Sequence, residues 1–513
     1  MSILAGLSRA LQINRHGVAT NHQGRQRSWA EFADRVARFA AALRALGVEH
    51  ETRVAILALN SDRYLDYYYA VPWAGGLVVP LNVRLAAPEL IEILNDAGAE
   101  ILIVDEAMSA LLPALRAGLK SVRRVVLIDG GPPALDEGVA LEAIIGAARP
   151  VEPATAPPGA PYGLFYTDGT TGRGKGVILT HAGITANAMN MIAEIGFDES
   201  SVYIHAGPMF HLADSAATFG VTMCGGSHVF VGRFDPILAL ETIQGSRATH
   251  SVMVPTMINM MVNSPAIATT DVSSLRLLMY GGAPMPEALL RQAMATLPGC
   301  GFLQAYGMTE LSPVATFLSP DYHAVDGPRA GRLRSAGRAA HSVEIRIVDD
   351  QDREVPRGTV GEIVVRGPMV MQGYWQQPEL TARTLRGGWM HTGDLASMDD
   401  EGFVFIVDRA KDMIITGGEN VYSAEVENAV CQHPAVAMCA VIGIADAQWG
   451  ERVHAVVVPK PGQTVTPDEI VGHCRSLVGG YKVPRSVEIR TEPMPISGAG
   501  KVLKTVLRAE HRP

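Results

Sequence analysis

Residues 162–176 read Tyr-Gly-Leu-Phe-Tyr-Thr-Asp-Gly-Thr-Thr-Gly-Arg-Gly-Lys-Gly. The opening run, residues 162–166, is short, apolar and aromatic, which predicts a buried strand. It passes directly into Thr167-Asp168-Gly169-Thr170-Thr171-Gly172-Arg173-Gly174-Lys175-Gly176, and a helix is predicted after Thr180. Glycines, threonine hydroxyls and a lysine crowded between a strand and a helix suit a loop that wraps phosphate oxygens with N–H, hydroxyl and ammonium groups. From Gly169 to Lys175 the spacing follows a Walker A loop, but Gly176 then supplies no hydroxyl for magnesium. That weighs against a P-loop NTPase, while a plain surface turn stays open at this point.

Upstream, the pattern alternates. Ser28-Trp-Ala-Glu31 is a capping box, followed by Phe32, Val36, Phe39, Leu43 and Leu46 at helical spacing until Gly47. Strands are predicted at 53–59, 77–81 and 101–105, and helices at 62–73 and 88–97. Strands alternating with helices imply an α/β fold with mostly parallel, helix-covered sheets. The Pro- and Ala-rich residues 149–161 read as an extended connector into the strand at 162.

At 513 residues the chain exceeds one ordinary core, so at least two domains are expected. Apolar residues make up 48% and charged residues 19%, the composition of a globular enzyme rather than a disordered or fibrous chain. A net charge of -9 argues against a broad nucleic-acid-binding face. Cys224, Cys300, Cys431, Cys439 and Cys474 form no C-x-x-C pair, which suggests neither a disulfide framework nor a zinc site. With no signal peptide or membrane span read from the sequence, a cytoplasmic location is expected.

Further runs carry polar chemistry. Pro208-Met209-Phe210-His211 places a histidine after an aromatic residue. Gly281-Gly282-Ala283-Pro284 follows an apolar strand predicted at 275–280, where missing side chains let a flat ring lie against the backbone. Gln304-Ala305-Tyr306-Gly307-Met308-Thr309-Glu310 and Trp389-Met390-His391-Thr392-Gly393-Asp394 add hydroxyls and carboxylates. Residues 402–409 (GFVFIVDR) precede Lys411 and the run 414–422 (IITGGENVY), and Pro495-Ile-Ser-Gly-Ala-Gly500-Lys501 lies near the end.

Together, from about residue 28 to residue 508, these runs resemble the adenylate-forming superfamily of acyl-CoA synthetases, luciferases and peptide-synthetase adenylation domains. The loop departs from the family's T-S-G-T-T-G-x-P-K-G at Asp168 and Gly174, and Ser497 replaces a threonine in the last motif. The resemblance implies a large N-terminal domain of residues 1–409 and a small, mobile α+β domain of residues 410–513, in a monomer or homodimer. It implies ATP, Mg2+ and coenzyme A, a small-molecule carboxylic acid as substrate, and no nucleic acid.

Residue by residue, the resemblance gives Thr167, Asp168, Gly169, Thr170, Thr171, Gly172 and Lys175 to the phosphates. Gly281, Gly282, Ala283 and Pro284 face adenine, with Ala305, Tyr306 and Gly307 beside the nucleotide. His211 gates the acyl carboxylate, Thr309 donates to the α-phosphate, and Glu310 is the magnesium ligand, a hard oxygen for a hard cation. Asp394 takes the ribose hydroxyls, with Ile406 and Arg409 on the nucleotide. Lys411 is the hinge, Gly417 and Gly418 line a thiol tunnel, and Lys501 reaches the reacting carboxylate and phosphate.

The implied reaction is ATP-dependent acyl-CoA formation through an acyl adenylate. Loading of a carrier protein, luciferase-like oxidation and a non-catalytic binding role stay open as other outcomes. Leu212 stands where peptide-synthetase domains carry an ammonium-binding aspartate, so an α-amino acid is not expected. Ala213, Ala217 and Ala305 suggest an open apolar channel for a fatty or aryl-alkenoic acid, and Asp214 a polar group near it; helix packing explains the same residues.

Overall fold

The computed structural model of the protein describes residues 2–129, 138–157, 159–167, 174–496 and 502–511. Asp168, Gly169, Thr170, Thr171, Gly172, Ser497, Gly500 and Lys501 lie outside the described residues.

The capping box forms as read. Ser28 Oγ accepts from the Glu31 amide, and the Glu31 carboxylate accepts from the Ser28 amide. The helix Trp29–Ala45 buries Phe32, Val36, Phe39 and Leu43, and Gly47 follows at φ 99°. Strand Arg53–Leu57, helix Asp62–Ala74, strand Leu77–Pro80, helix Ala87–Ala97 and strand Ile101–Val104 follow the predicted alternation. The strands pair in parallel and are buried on both faces, which is why they read as unbroken apolar runs.

This is one of two large sheets. The eight-stranded sheet continues through Pro161–Thr167, parallel to Leu77–Pro80, and then through Lys175–Thr180, antiparallel to Pro161–Thr167. Thr180 caps the helix His181–Ile195 by accepting from the Gly183 amide. The nine-stranded sheet has a parallel centre, Val202–His205, His250–Met253, Leu277–Gly281 and Gly301–Gly307, with antiparallel pairs at its edges.

A third sheet was not foreseen from the sequence. Glu344–Val348, Gly361–Arg366, Met390–Met398 and Val404–Arg409 form a wholly antiparallel layer. After Arg409 the chain enters a fourth sheet, built from Ile414–Thr416, Glu419–Val421, Val436–Asp446, Gly450–Pro459 and Ser486–Ile489. Helices Ser423–Cys431 and Pro467–Arg475 pack on one face around an apolar cluster that includes Val426, Val441 and Ile470, and helix Lys504–Glu510 packs Leu507 on the other face against Ala440, Ile442 and Val456. The Asp408 carboxylate accepts from the Ser423 amide, tying this unit to the end of the third sheet, and Arg508 pairs with Asp412 at 2.9 Å just beyond that strand. Among the described residues no helix is long and apolar enough to cross a membrane.

Candidate active site

A cleft of about 1290 Å³ opens where the two large sheets and the third sheet meet. Its polar end begins at the hairpin formed by Thr167 and Lys175, which face each other across the antiparallel pair Pro161–Thr167 and Lys175–Thr180. The sheet therefore fixes both ends of the glycine-rich loop. Gly176 sits in tight packing, since a Cβ there would lie 3.0 Å from Tyr166 Cζ and 3.1 Å from Trp375 Cβ, and these side chains would have to give by a few tenths of an ångström.

Lys175 Nζ stands 5.3 Å over the ring of Tyr374. The Tyr374 hydroxyl donates to Glu310 Oε1 at 2.8 Å, and Glu310 is buried. Burial, and then the Glu310 carboxylate, push the Tyr374 phenol well above its ordinary range, so it acts as a donor. Tyr374 was missed by the sequence reading; its short strand Gly373–Tyr374 joins the eight-stranded sheet beside Val177 and Ile178. Thr309 and Glu310 open a single 3-10 turn, Thr309–Leu311, and both line the cleft.

The opposite wall carries Asp394, Arg409 and Lys411. Asp394 is buried, accepts from the Tyr306 hydroxyl at 2.8 Å and faces Arg409 Nε at 3.4 Å. Burial first, then Asp394, raise the Tyr306 phenol, which leaves it protonated and donating. Thr392 shapes the turn, accepting from the Asp394 amide at 3.1 Å while donating to the Ile363 carbonyl at 2.7 Å. The Lys411 ammonium is lowered by burial and by neighbouring Arg409.

The cleft continues into an apolar end walled by Val252, Val254, Met279, Ala305, Met308 and Val314. His211 lies at the junction, as the N-cap residue of helix Leu212–Cys224, with Leu212 and Ala213 beside it.

Several expectations change. Gly281 and Gly282 line the cleft, whereas Ala283 and Pro284 do not, and Pro284 is exposed. Gly281 is glycine because a Cβ would lie 2.2 Å from the Ala305 carbonyl oxygen of the adjacent strand, and Gly307 because one would lie 1.9 Å from the Pro313 carbonyl oxygen. Close backbone approach, rather than room for a ring, is the first demand at both positions.

Ile406 packs against the core beneath the third sheet and does not reach the cleft. Ala217 is wholly buried one turn below the cleft mouth, among Tyr203, Val252 and Met279. Asp214 does not offer its carboxylate to the cleft either. It is buried behind the wall, 2.6 Å from His205 Nδ1 and accepting from the Tyr203 hydroxyl at 3.1 Å. The chain of polar contacts runs on from His205 Nε2 to His228 Nδ1 at 3.0 Å and from His228 Nε2 to Thr222 at 3.1 Å.

Gly417 and Gly418 also lie away from the cleft, in an exposed turn with φ 61° and 83°. There the Gly417 amide donates to the Trp449 carbonyl, and a Cβ on Gly417 would lie 2.8 Å from the half-buried Trp449 indole. Ile496, Leu503 and Thr505 from the small unit do line the cleft.

With this geometry in hand, the relatives are informative. Residues 8–375 match the family described as AMP-binding enzyme, and residues 425–501 match the AMP-binding enzyme C-terminal domain. A feruloyl-CoA synthase of Amycolatopsis sp is 39% identical over 508 residues, covering 98% of this chain and 97% of that protein. The indoleacetate–CoA ligase of Aromatoleum aromaticum is 36% identical, covering 94% and 93%. The crystal structure of the anthranilate CoA ligase AuaEII in complex with anthranoyl-AMP superposes with a TM-score of 0.91 at 26% identity, covering 100% of this chain and 97% of that one. A two-ended cleft beneath a glycine-rich hairpin, matched along almost the whole sequence, identifies the chain as a member of the AMP-binding enzyme family of adenylate-forming ligases.

Proposed function

We propose that this protein activates an aromatic carboxylic acid, an aryl-alkenoic or aryl-acetic acid, for transfer to coenzyme A. The reaction class is that of an ATP-dependent, AMP-forming acid–CoA ligase. The observation that carries the substrate reading is the single cleft whose polar end, with Lys175, Thr309 and Asp394, continues into an apolar end walled by Val252, Met279 and Met308. An acid with a carboxylate at one end and an apolar body fits both ends at once. The names of three relatives, which concern ferulate, indoleacetate and anthranilate, support the aromatic reading, while other relatives of 33–35% identity are named as fatty-acid ligases.

In this reading Lys175 and Thr309 bind phosphate oxygens, His211 orients the acyl carboxylate, and Asp394 with Arg409 holds the ribose. Tyr306 positions Asp394 by donating to it. The carboxylate attacks the α-phosphorus in line, and its oxygen–phosphorus bond replaces the bond to departing pyrophosphate. Lys501 assists this step, and coenzyme A thiolate then attacks the acyl carbonyl and releases AMP.

Glu310 fits a magnesium ion chemically: it is a buried carboxylate with Oε1 engaged by Tyr374 and a second hard oxygen. When bound there, magnesium neutralises phosphate charge. The division at residues 409 and 410, with Lys411 as hinge, accords with the passage from the third sheet to the fourth. Ile496, Leu503 and Thr505 at the cleft and Gly417–Gly418 away from it accord with the arrangement that precedes thiol entry.

The test is pyrophosphate release from ferulic, indoleacetic, anthranilic and fatty acids, with and without coenzyme A, with the thioester identified by mass. Turnover of the aromatic acids with thioester formation is expected. Turnover confined to aliphatic chains, or an adenylate transferred only to a carrier protein, refutes the proposal.

A further inference from the structure

The small unit holds a second cluster on the outer face of its sheet, formed by His454, Glu488 and His511. His454 lies on strand Gly450–Pro459, Glu488 on strand Ser486–Ile489, and His511 directly follows helix Lys504–Glu510. One ligand atom from each lies within 4.8 Å of the other two. The two strands run parallel with His454 opposite Ser486, so Glu488, two residues on, projects from the same face.

Hydrogen bonding shows what the cluster lacks. His511 Nδ1 lies 2.7 Å from the Leu507 carbonyl, so Nδ1 carries the proton and a neutral ring presents a lone pair on Nε2. That Nε2 faces Glu488 Oε2 at 2.9 Å, an acceptor against an acceptor. His454 Nδ1 is held by Ser486 Oγ at 2.8 Å, while its Nε2 is buried with no hydrogen-bond partner among the described residues. The two rings sit 4.5 Å apart. A proton on His511 resolves only its contact with Glu488. A cation between the three resolves all of them.

We propose that His454, Glu488 and His511 bind a zinc ion that fastens the C-terminal helix to the sheet. Two imidazoles and a carboxylate suit zinc rather than magnesium, and water completes the tetrahedron. Both rings already have the outer partner that fixes a ligating histidine, Ser486 for one and the Leu507 carbonyl for the other. With Zn–N bonds of about 2.0–2.1 Å the ligand atoms must draw in to roughly 3.3 Å of one another, a shift that side-chain rotation supplies. Arg490 lies 3.7 Å from Glu488 Oε1 but is itself held by Glu510 at 2.7 Å, leaving Oε2 to the metal. The pinned helix also carries Lys504, paired with Glu427 at 2.7 Å, and begins just after the motif at 495–501.

The experiment uses the full chain without an affinity tag, stripped by a chelator and titrated with Zn2+ against a metal indicator, and separately with Co2+. We expect one tight ion per chain, visible d–d absorption from four-coordinate Co2+, and a melting temperature that rises with zinc. His511→Gln should weaken binding at least about 100-fold, since even outer partners contribute about 10–100-fold, and Ser486→Ala should fall in that lower range. Should His511→Gln melt differently from the natural chain in chelator, Glu488→Gln provides the same comparison. Equal zinc affinity in the natural chain and these variants, or no retained ion in the natural chain, overturns the proposal.

Discussion

Replacing Gly281 by alanine separates two reasons for a glycine at that position. The added Cβ would sit 2.2 Å from the Ala305 carbonyl oxygen, whereas carbon and carbonyl oxygen ordinarily approach no closer than about 3.3 Å. The strands Leu277–Gly281 and Gly301–Gly307, paired in register at Gly281 and Ala305, must therefore part by about 1 Å. Overpacking of this kind costs about 1–3 kcal/mol, and each ladder bond broken adds about 0.5–1.5 kcal/mol. Because Ala305 forms part of the apolar wall, the KM for the acid should rise as the protein is destabilised. Gly282→Ala is the control: its nearest atom would be Val254 Cγ1 at 3.7 Å, so only the φ of 75° opposes it, at about 1–2 kcal/mol. Thermal and urea melts, with steady-state KM values for acid and ATP, provide the comparison. If Gly281→Ala melts with the natural protein and changes only the KM for ATP, strand approach is the wrong explanation.

Tyr306→Phe keeps the ring and deletes the donor to Asp394; losing a hydrogen bond to a charged group, about 1.5–3 kcal/mol, should raise the KM for ATP about 10–100-fold with less effect on kcat, and an unchanged KM sinks the positioning role. Tyr374→Phe should leave Glu310 short of its 2.8 Å donor and alter the magnesium dependence of pyrophosphate exchange, while a dependence identical to the natural protein's refutes that link. Asp168→Ser removes an acidic group from a loop assigned to phosphates, and should lower the KM for ATP or raise the exchange rate; slower exchange would mark Asp168 as an adapted part of the site. Lys501→Ala should suppress adenylate formation far more than thioester formation from a supplied adenylate, and equal losses in both would remove its assigned role.

The alternating strands and helices of the first hundred residues were legible because burial on both faces leaves an unbroken apolar signal, and because Ser28 and Glu31 cap each other locally. The third sheet was less legible because a strand such as Glu344–Val348, which runs from exposed and half-buried positions to two buried ones, shows neither an unbroken apolar run nor a clean period of two. Motifs located most of the cleft, including Lys175, Glu310, Asp394 and Arg409. They could not reveal Tyr374, which reaches Glu310 only through pairing with Val177 and Ile178. Ala213 and Ala217 share a helical face, yet only the first turn meets the cleft; sequence spacing gives the face but not the depth.

Trp449, lying beneath the exposed Gly417–Gly418 turn and stacked with Arg485 at 4.2 Å, gives the small unit its own fluorophore. The other four tryptophans, Trp29, Trp73, Trp375 and Trp389, precede Lys411 in the chain. A chain retaining Trp449 alone therefore emits only from the part expected to turn. Its spectrum and quenching would register rotation through the solvent and guanidinium around one indole, without a label and on the timescale of a stopped-flow mixing experiment.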